Sequence, residues 1–236
     1  MLQLPLAMSQ VYGRIFNEEG LSLTHFKIIE MVGNDKEVLE LGSSVGYLTK
    51  QMVENNCQVD IVEVDEEDAR AAKRFARKAY VGSLEDINTI DRIGDTYDVI
   101  VASNILEHLK NPDETLHLIK EKLRKDGKIL IALPNIACWA IREDLFFRGK
   151  FNYQETGILD RTHLRFYTYN TAQALVEQIG LKIVDIIPTE ISYPLRFRVL
   201  KFGYPGQLID RVVSDKLIKF FPNLIISHFI IVAVRK

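Results

Sequence analysis

Apolar and polar positions along this chain switch repeatedly between the helical and the extended period. From Leu23 to Val32 apolar residues return at helical spacing and Gly33-Asn34 close the segment, after which Val38-Leu39-Glu40-Leu41 is a short apolar run of the kind that buries as a strand. A helix over about Gly46 to Asn55 follows, then a strand at Val59 to Val64. Asp65 is placed to cap the next helix, whose acids Glu66-Glu67-Asp68 stand at its start and whose bases Arg70, Lys73, Arg74, Arg77 and Lys78 stand toward its end. A short strand near Tyr80-Val81 and a clear one over Tyr97 to Ala102 come next.

Asn111-Pro112-Asp113-Glu114 has a cap, a first-turn proline and an acid, which predicts a helix that Asp126-Gly127 ends. Lys128 to Leu133 reads as a strand, Asn170 to Ile179 as a helix stopped by Gly180, and Leu181 to Ile187 and Ile225 to Arg235 as two closing strands that could form a hairpin-like edge. Strands alternating with helices, with mostly unbroken apolar strands, predict a doubly wound α/β domain whose largely parallel sheet is covered on both faces. Two segments break the alternation, Cys138 to Tyr169 and Thr189 to Asn223. They are expected to cap the active-site end of one domain spanning 1–236, because long excursions in compact domains are usually functional or disordered and these are rich in aromatics.

Composition narrows the function classes. Thirty Lys and Arg against 32 Asp and Glu leave a net charge of −2, so no global field draws the chain to nucleic acid. Cys57 and Cys138 form no Cys-x-x-Cys pair, which removes a cysteine zinc site and fits a reducing compartment. Met1 to Gln10 lacks a basic start, and the apolar run Ile225 to Val234 is about half the roughly 20 residues of a spanning helix. A cytoplasmic protein without a transmembrane segment is expected.

The most informative string is Val38-Leu39-Glu40-Leu41-Gly42-Ser43-Ser44-Val45-Gly46-Tyr47-Leu48, a strand entering a small-residue turn that opens a helix, where a ligand can approach backbone N–H groups. Glu63 follows 21 residues after Gly42, at a strand end, placed to accept hydrogen bonds from ribose hydroxyls. Ser44 and Tyr47 occupy the second and third glycine positions of a dinucleotide turn, which disfavours NAD, and no P-loop string exists.

This region resembles the class I S-adenosylmethionine-dependent methyltransferases, whose first motif is an acid, an apolar residue and then alternating glycines. Glu40, Gly42 and Gly46 match, and Ser44 stands where the middle glycine is usual. Tyr97 to Leu109 resembles the family's fourth-strand motif. The resemblance implies a Rossmann-like sheet of about seven strands with the last antiparallel, and S-adenosylmethionine as cofactor. Position by position it implies donor contacts at Glu40, Gly42, Ser43, Ser44, Gly46 and Tyr47, at Glu63 and Val64, at Ser83, Leu84 and Glu85, and at Ser103 and Asn104. Ser83 stands where the family often has an acid near the adenine amine.

The stretch from Leu133-Pro134-Asn135 through Arg148-Gly149-Lys150-Phe151-Asn152-Tyr153 to Gly157-Ile158-Leu159-Asp160-Arg161-Thr162-His163-Leu164-Arg165-Phe166-Tyr167-Thr168 is similar to a subgroup associated with glycan and surface-polysaccharide biosynthesis. If extended, it puts Arg161, His163, Arg165 and Tyr167 on one face, suited to a small, anionic sugar derivative; otherwise the arginines simply pair with Asp160 or Glu155. Asn135 and Trp139 join this acceptor set. Phe146, Phe147, Phe151 and Tyr153 would line a pocket or form the insertion's own core.

An alcohol acceptor must lose a proton as it attacks, and histidine is the natural base. His163 oriented by Asp160 is the first candidate and His108 beside Glu107 the second. No metal is expected, although resemblance to the ubiquinone-pathway O-methyltransferases implies one near Glu107-His108. The basic and apolar segment Pro194 to Phe202 would pack on the protein or rest on a membrane surface. The predicted activity is methyl transfer to a small-molecule hydroxyl of a sugar or glycan precursor. Rivals are a quinone-precursor or phenol O-methyltransferase, a donor-binding regulatory subunit without turnover, and, distantly, an NAD reductase.

Overall fold

A computed structural model describes residues 22–94, 96–192 and 218–236. Seven strands form one sheet: β1 (Glu37–Leu41), β2 (Gln58–Glu63), β3 (Lys78–Val81), β4 (Tyr97–Ser103), β5 (Leu123–Pro134), β6 (Leu181–Ile191) and β7 (Ile226–Arg235). Their order is β3-β2-β1-β4-β5-β7-β6. The last strand thus enters between β5 and β6, and the sheet is mostly parallel with antiparallel last strands. This is the predicted α/β Rossmann-like architecture. Among the described residues no helix is long and apolar enough to cross a membrane.

The chain divides into two compact units. The first holds residues up to Ser103, Glu114–Leu130 and Arg235. Within it β1 pairs in parallel with both β2 and β4, and β2 with β3. β1 and β2 bury nearly every residue, as expected of strands covered on both faces. The helix Leu23–Val32 opens on a capping box in which Ser22 and His25 satisfy each other's backbone N–H, and closes at Gly33 with φ 78°.

Asp65 caps Glu66–Ala72 by accepting from the N–H groups of Glu67 and Asp68, as its position predicts. That helix stops at Ala72, however, and does not run to Lys78. Arg77 is instead drawn onto fully buried Asp60, donating from Nε and Nη2 at 2.8 Å each, and Tyr97 donates its hydroxyl to the same carboxylate at 2.8 Å. Lys78 then begins β3. Asp126-Gly127 likewise is no helix end: the helix Pro112–Ile119 gives way to a 3₁₀ turn and β5 starts at Leu123. Gly127 lies inside the strand because a Cβ there would come within 2.9 Å of the Asp98 carbonyl and 3.0 Å of the Tyr97 carbonyl.

The second unit holds Asn104–Asp113, Ile131–Val234 and Lys236. The insertion after β5 forms the helix Trp139–Arg148, closed by Gly149 in the left-handed conformation, and then an irregular loop to Tyr167. Its core is small: Cys138, Ile141 and Leu159 are buried, with Ile136, Ile158 and Phe166 packed against them. Phe146 and Phe147, expected in a pocket or core, are 82% and 70% exposed. Residues 161–167 are not a strand, so their side chains do not alternate between two faces. The second excursion is shorter at its start than predicted, because β6 continues through Ile191. Its middle, including Pro194 to Phe202, lies outside the described residues, as does Met1 to Gln10.

Candidate active site

In the first unit the turn after β1 is built for close approach of a ligand. Gly42 and Gly46 have φ of 71° and 89°, and Ser44 takes φ 46°, the left-handed region the family's middle glycine usually supplies. Two contacts hold Ser44 there: its N–H donates to Glu63 Oε2 at 2.8 Å and its hydroxyl to Asp68 Oδ2 at 3.3 Å. Gly46 is dictated by packing as well, since a Cβ would lie 2.8 Å from Ala72 Cα. No side chain caps the helix Tyr47–Glu54 that opens here, which leaves its first backbone N–H groups and its positive dipole end for a ligand.

Two carboxyl groups flank the turn. Glu40 is buried, and burial pushes its carboxyl up to about 8, with Glu63 acting in the same direction and the Thr49 hydroxyl, donated to Oε2 at 2.5 Å, against it. Glu63 accepts from Ser44 N on one oxygen and from Val64 N and Asp65 N on the other, at 2.8, 2.8 and 3.1 Å. Tyr47 and Val64 beside them are apolar yet 51% and 67% exposed. Ser83 accepts from Glu85 N, and the Leu84 carbonyl accepts from Thr115 Oγ1. At the end of β4 the Ser103 hydroxyl is buried with no partner. An uncapped helix start, an orphaned hydroxyl and two exposed apolar side chains fit a bound nucleoside with a charged tail.

The second unit gathers the histidines. Glu107 and His108 lie on a 3₁₀ turn after β4, and the Glu107 carbonyl accepts from Leu164 N and Arg165 N, which draws the 160–165 loop against them. The Asp160 carboxylate does not orient His163. It accepts the Thr162 N–H at 2.8 Å and the Thr162 hydroxyl at 2.6 Å, and these bonds hold it below the usual carboxylate range. Thr162 in turn faces His108, whose Nδ1 is 3.1 Å from Oγ1 and 3.3 Å from the Thr162 carbonyl. A carbonyl only accepts, so Nδ1 carries the proton and Nε2 the free lone pair. Asp160, Thr162 and His108 form one hydrogen-bonded line ending in a half-buried imidazole.

His163 belongs to another arrangement. It is buried, Nδ1 donates to the Ile158 carbonyl at 3.1 Å, and Nε2 stands 4.0 Å from Glu107 Oε1. Burial holds the imidazole below its ordinary value and pushes the Glu107 carboxyl up to about 8, so near neutral pH this is a neutral pair and not a salt bridge. Glu107 Oε2 and the Tyr167 hydroxyl are buried without partners. One ligand-type atom each from Glu107, His108 and His163 lies within 4.8 Å of the others, which makes this trio the place among the described residues where a cation would find three ligands.

The expected acceptor residues separate. Arg161 pairs with Glu155, and Arg165 donates to the Lys110 carbonyl. Asn135 is fully buried with its amide on the carbonyls of Asn223 and Ile226 and its oxygen on Ala137 N, a clamp on the start of β7. Trp139 donates to Glu143, and Tyr167 is buried. Asn104 adopts φ 51° with its side-chain oxygen buried and unpaired. Sequence reasoning passed over Thr162 and the pairing of Glu107 with His163. The only signal for the latter is an acid directly after the apolar pair Ile105-Leu106.

Comparison with known proteins identifies the family and the fold. A family described as "Methyltransferase domain" matches residues 23–186. A mitochondrial ubiquinone biosynthesis O-methyltransferase of Schizosaccharomyces pombe is 26% identical over 106 residues, 41% of this chain and 37% of that protein. An (S)-coclaurine N-methyltransferase of Thalictrum flavum subsp. glaucum is 32% identical over 100 residues, 40% of this chain and 27% of the other. The matched stretches thus span well under half of these relatives. A SAM-dependent methyltransferase structure from Archaeoglobus fulgidus superposes with a TM-score of 0.62 at 18% identity, covering 95% of this chain and 93% of that one. Magnesium protoporphyrin IX methyltransferase from Synechocystis, solved with bound SAM, gives 0.55 at 10% identity, covering 100% and 86%. With residues 23–186 of this chain matched by the family and the fold shared over 95% of it, the chain belongs to the methyltransferase-domain family and has the fold of S-adenosylmethionine-dependent methyltransferases.

Proposed function

We propose that this protein transfers a methyl group from S-adenosylmethionine to a hydroxyl of a small sugar or glycan precursor. The observation that carries hydroxyl over amine is the Asp160–Thr162–His108 line. An alcohol is a poor nucleophile until its proton leaves, and a half-buried imidazole with a free Nε2 and an anchored Nδ1–H is a general base already in the required tautomer. The sugar assignment is supported by the similarity of residues 133–168 to the glycan-associated subgroup.

When bound, S-adenosylmethionine supplies an electrophilic methyl group on a sulfonium. Glu40 and the Gly42–Gly46 turn would hold its amino-acid end, with the uncapped helix start facing the carboxylate. Glu63 would accept from a ribose hydroxyl on Oε2 while keeping its backbone bonds, since that oxygen takes only Ser44 N whereas Oε1 already takes two N–H groups. Val64 and Tyr47 offer apolar cover for the base, and Ser103 an unused hydroxyl. His108 Nε2 takes the acceptor proton. Thr162 and Asp160 then face the imidazolium, whose charge the carboxylate offsets through the hydroxyl. Arg161 and Arg165 stay in the proposal as contacts for acceptor charge, and each would share its present partner.

A phenol or quinone-precursor acceptor is the second reading, favoured by the exposed aromatic group in which Phe151 lies 5.8 Å from both Tyr153 and Phe166, ring centre to ring centre. The test is calorimetric titration with S-adenosylmethionine, S-adenosylhomocysteine and NADH, followed by a methyl-transfer screen over nucleotide sugars, acidic sugars and catechols, with and without chelator. Binding of both sulfur compounds, none of NADH, and chelator-resistant transfer to a sugar is the expected result. Transfer confined to catechols and abolished by chelator establishes the second reading, and no binding of either sulfur compound ends both. Donor binding with no transfer, and no change of any cellular methylation product in His108→Ala, would identify a regulatory subunit.

A further inference from the structure

The second unit carries a cavity that neither the donor turn nor the histidine line uses. It measures about 270 Å³ and lies between the helix Trp139–Arg148 and the loop that follows it. Ile141, Ile158 and Leu159 make an apolar floor continuous with the insertion's own core. Asp144, Lys150, Asn152 and Gln154 make a polar wall. Asp144 is already committed to Arg148, 2.6 Å away. Among the described residues the Lys150 ammonium and the amides of Asn152 and Gln154 have no hydrogen-bond or ion-pair partner.

Size and lining together select a ligand class. Binding sites for drug-sized ligands run from roughly 300 to 1,000 Å³, so this cavity takes one ring and not a nucleotide or a disaccharide. An aliphatic floor suits the C–H face of a saturated ring. Two free primary amides supply donors and acceptors in equal number, which matches ring hydroxyls, each of which both gives and takes a hydrogen bond. The remaining free charge is positive, since the one wall carboxylate is neutralised by Arg148. The geometry points to a site for a single pyranose ring bearing a carboxylate, with Lys150 on the carboxylate, Asn152 and Gln154 on the hydroxyls, and Ile141, Ile158 and Leu159 under the ring. The site deepens the sugar-acceptor reading and rests on it for its place in the reaction, though binding here needs no donor.

The experiment is an amide NMR titration of the full chain with methyl β-glucuronide and methyl β-glucoside. The glucuronide is expected to shift the amides of Lys150, Asn152, Gln154 and Leu159 saturably and to bind roughly three- to fivefold tighter than the glucoside, the modest factor an exposed ion pair gives. Lys150→Gln should erase that preference, and Asn152→Ala with Gln154→Ala should abolish saturation while leaving the melting temperature unchanged, because all three side chains are exposed. No saturable shift with either sugar, or equal shifts in the double variant, overturns the site. Equal affinity for both sugars overturns the assignment of an acidic ring. S-adenosylmethionine is titrated into the same samples: sugar binding without donor binding sinks the methyltransferase reading and leaves the cavity assigned, whereas donor binding without sugar binding does the reverse.

Discussion

Glu63→Gln separates a carboxylate that merely sits near the donor from one that builds the donor's cradle. The substitution keeps size and shape but replaces one acceptor oxygen by an NH₂ group. In the structure one oxygen takes Ser44 N and the other takes Val64 N and Asp65 N, so whichever way the amide turns, an N–H is pointed at an N–H. The cheaper orientation keeps the oxygen on Val64 and Asp65 and gives up Ser44. That loss removes one hydrogen bond to a charged acceptor, about 1.5–3 kcal/mol, from a non-glycine residue held at φ 46° that has few other restraints. If donor binding requires the turn in its present form, the energy to restore it comes out of the binding energy, and the dissociation constant rises roughly ten- to hundredfold. Calorimetry with S-adenosylmethionine and S-adenosylhomocysteine measures it, and both should weaken alike because both carry the ribose. Affinities within about twofold of wild type would refute the argument and leave Glu63 a bystander.

Gly46→Ala should destabilise by roughly 2–5 kcal/mol, the sum of overpacking against Ala72 and a Cβ at φ 89°, read as a lower melting temperature together with loss of donor binding. Glu40 has a folded-state pKa of about 8 against an ordinary value of 4.5, so the folded chain holds a proton the unfolded chain has released. The stability it contributes is full below the unfolded value and is lost as pH rises through about 8, at up to roughly 1.4 kcal/mol per pH unit. Urea unfolding across that window should show stability falling more steeply in wild type than in Glu40→Gln, and parallel curves would contradict it. Once an acceptor is in hand, His108→Ala should lower kcat by about 10²–10⁴ with KM little changed, and Thr162→Val should lower it less and shift the pH profile, with Thr162→Ser restoring both.

The strands and most helices were legible because their signals are local. Gly33 and Asp65 mark helix ends by chemistry that acts over three or four residues, and the structure uses each where the pattern puts it. Legibility failed where a distant partner outbid the local pattern. Arg77 reads as the basic end of a helix, but a buried carboxylate on β2 takes its guanidinium and the chain straightens into β3. Gly127 reads as a helix stop, yet glycine is there because two carbonyls on β4 leave no room for a Cβ. The alternation of Arg161, His163, Arg165 and Tyr167 has the period of a strand. A side chain bonded to its own loop at Asp160 and two N–H groups taken by the Glu107 carbonyl hold it irregular instead.

The same distinction explains why one half of the candidate site could be read and the other could not. Glu40, the glycine turn and Glu63 lie within 24 residues, and the turn is itself the signal, so spacing placed Glu63 and the family resemblance added Glu40. The proposed base does not have that advantage. His108 and Thr162 are 54 positions apart, and nothing in either neighbourhood announces the other. Proximity in sequence favoured His163 with Asp160, three residues away, and that inference treats the nearest acid as the orienting one. In the folded chain the nearer acid is turned to Thr162, and through it to His108, while His163 is buried against Glu107 as a neutral pair. His163 is buried, with Nδ1 on the Ile158 carbonyl and Nε2 toward Glu107, whereas half-buried His108 has Nδ1 fixed on Thr162 and Nε2 free, so the two histidines are distinguished by their hydrogen-bond partners and not by their position in the motif.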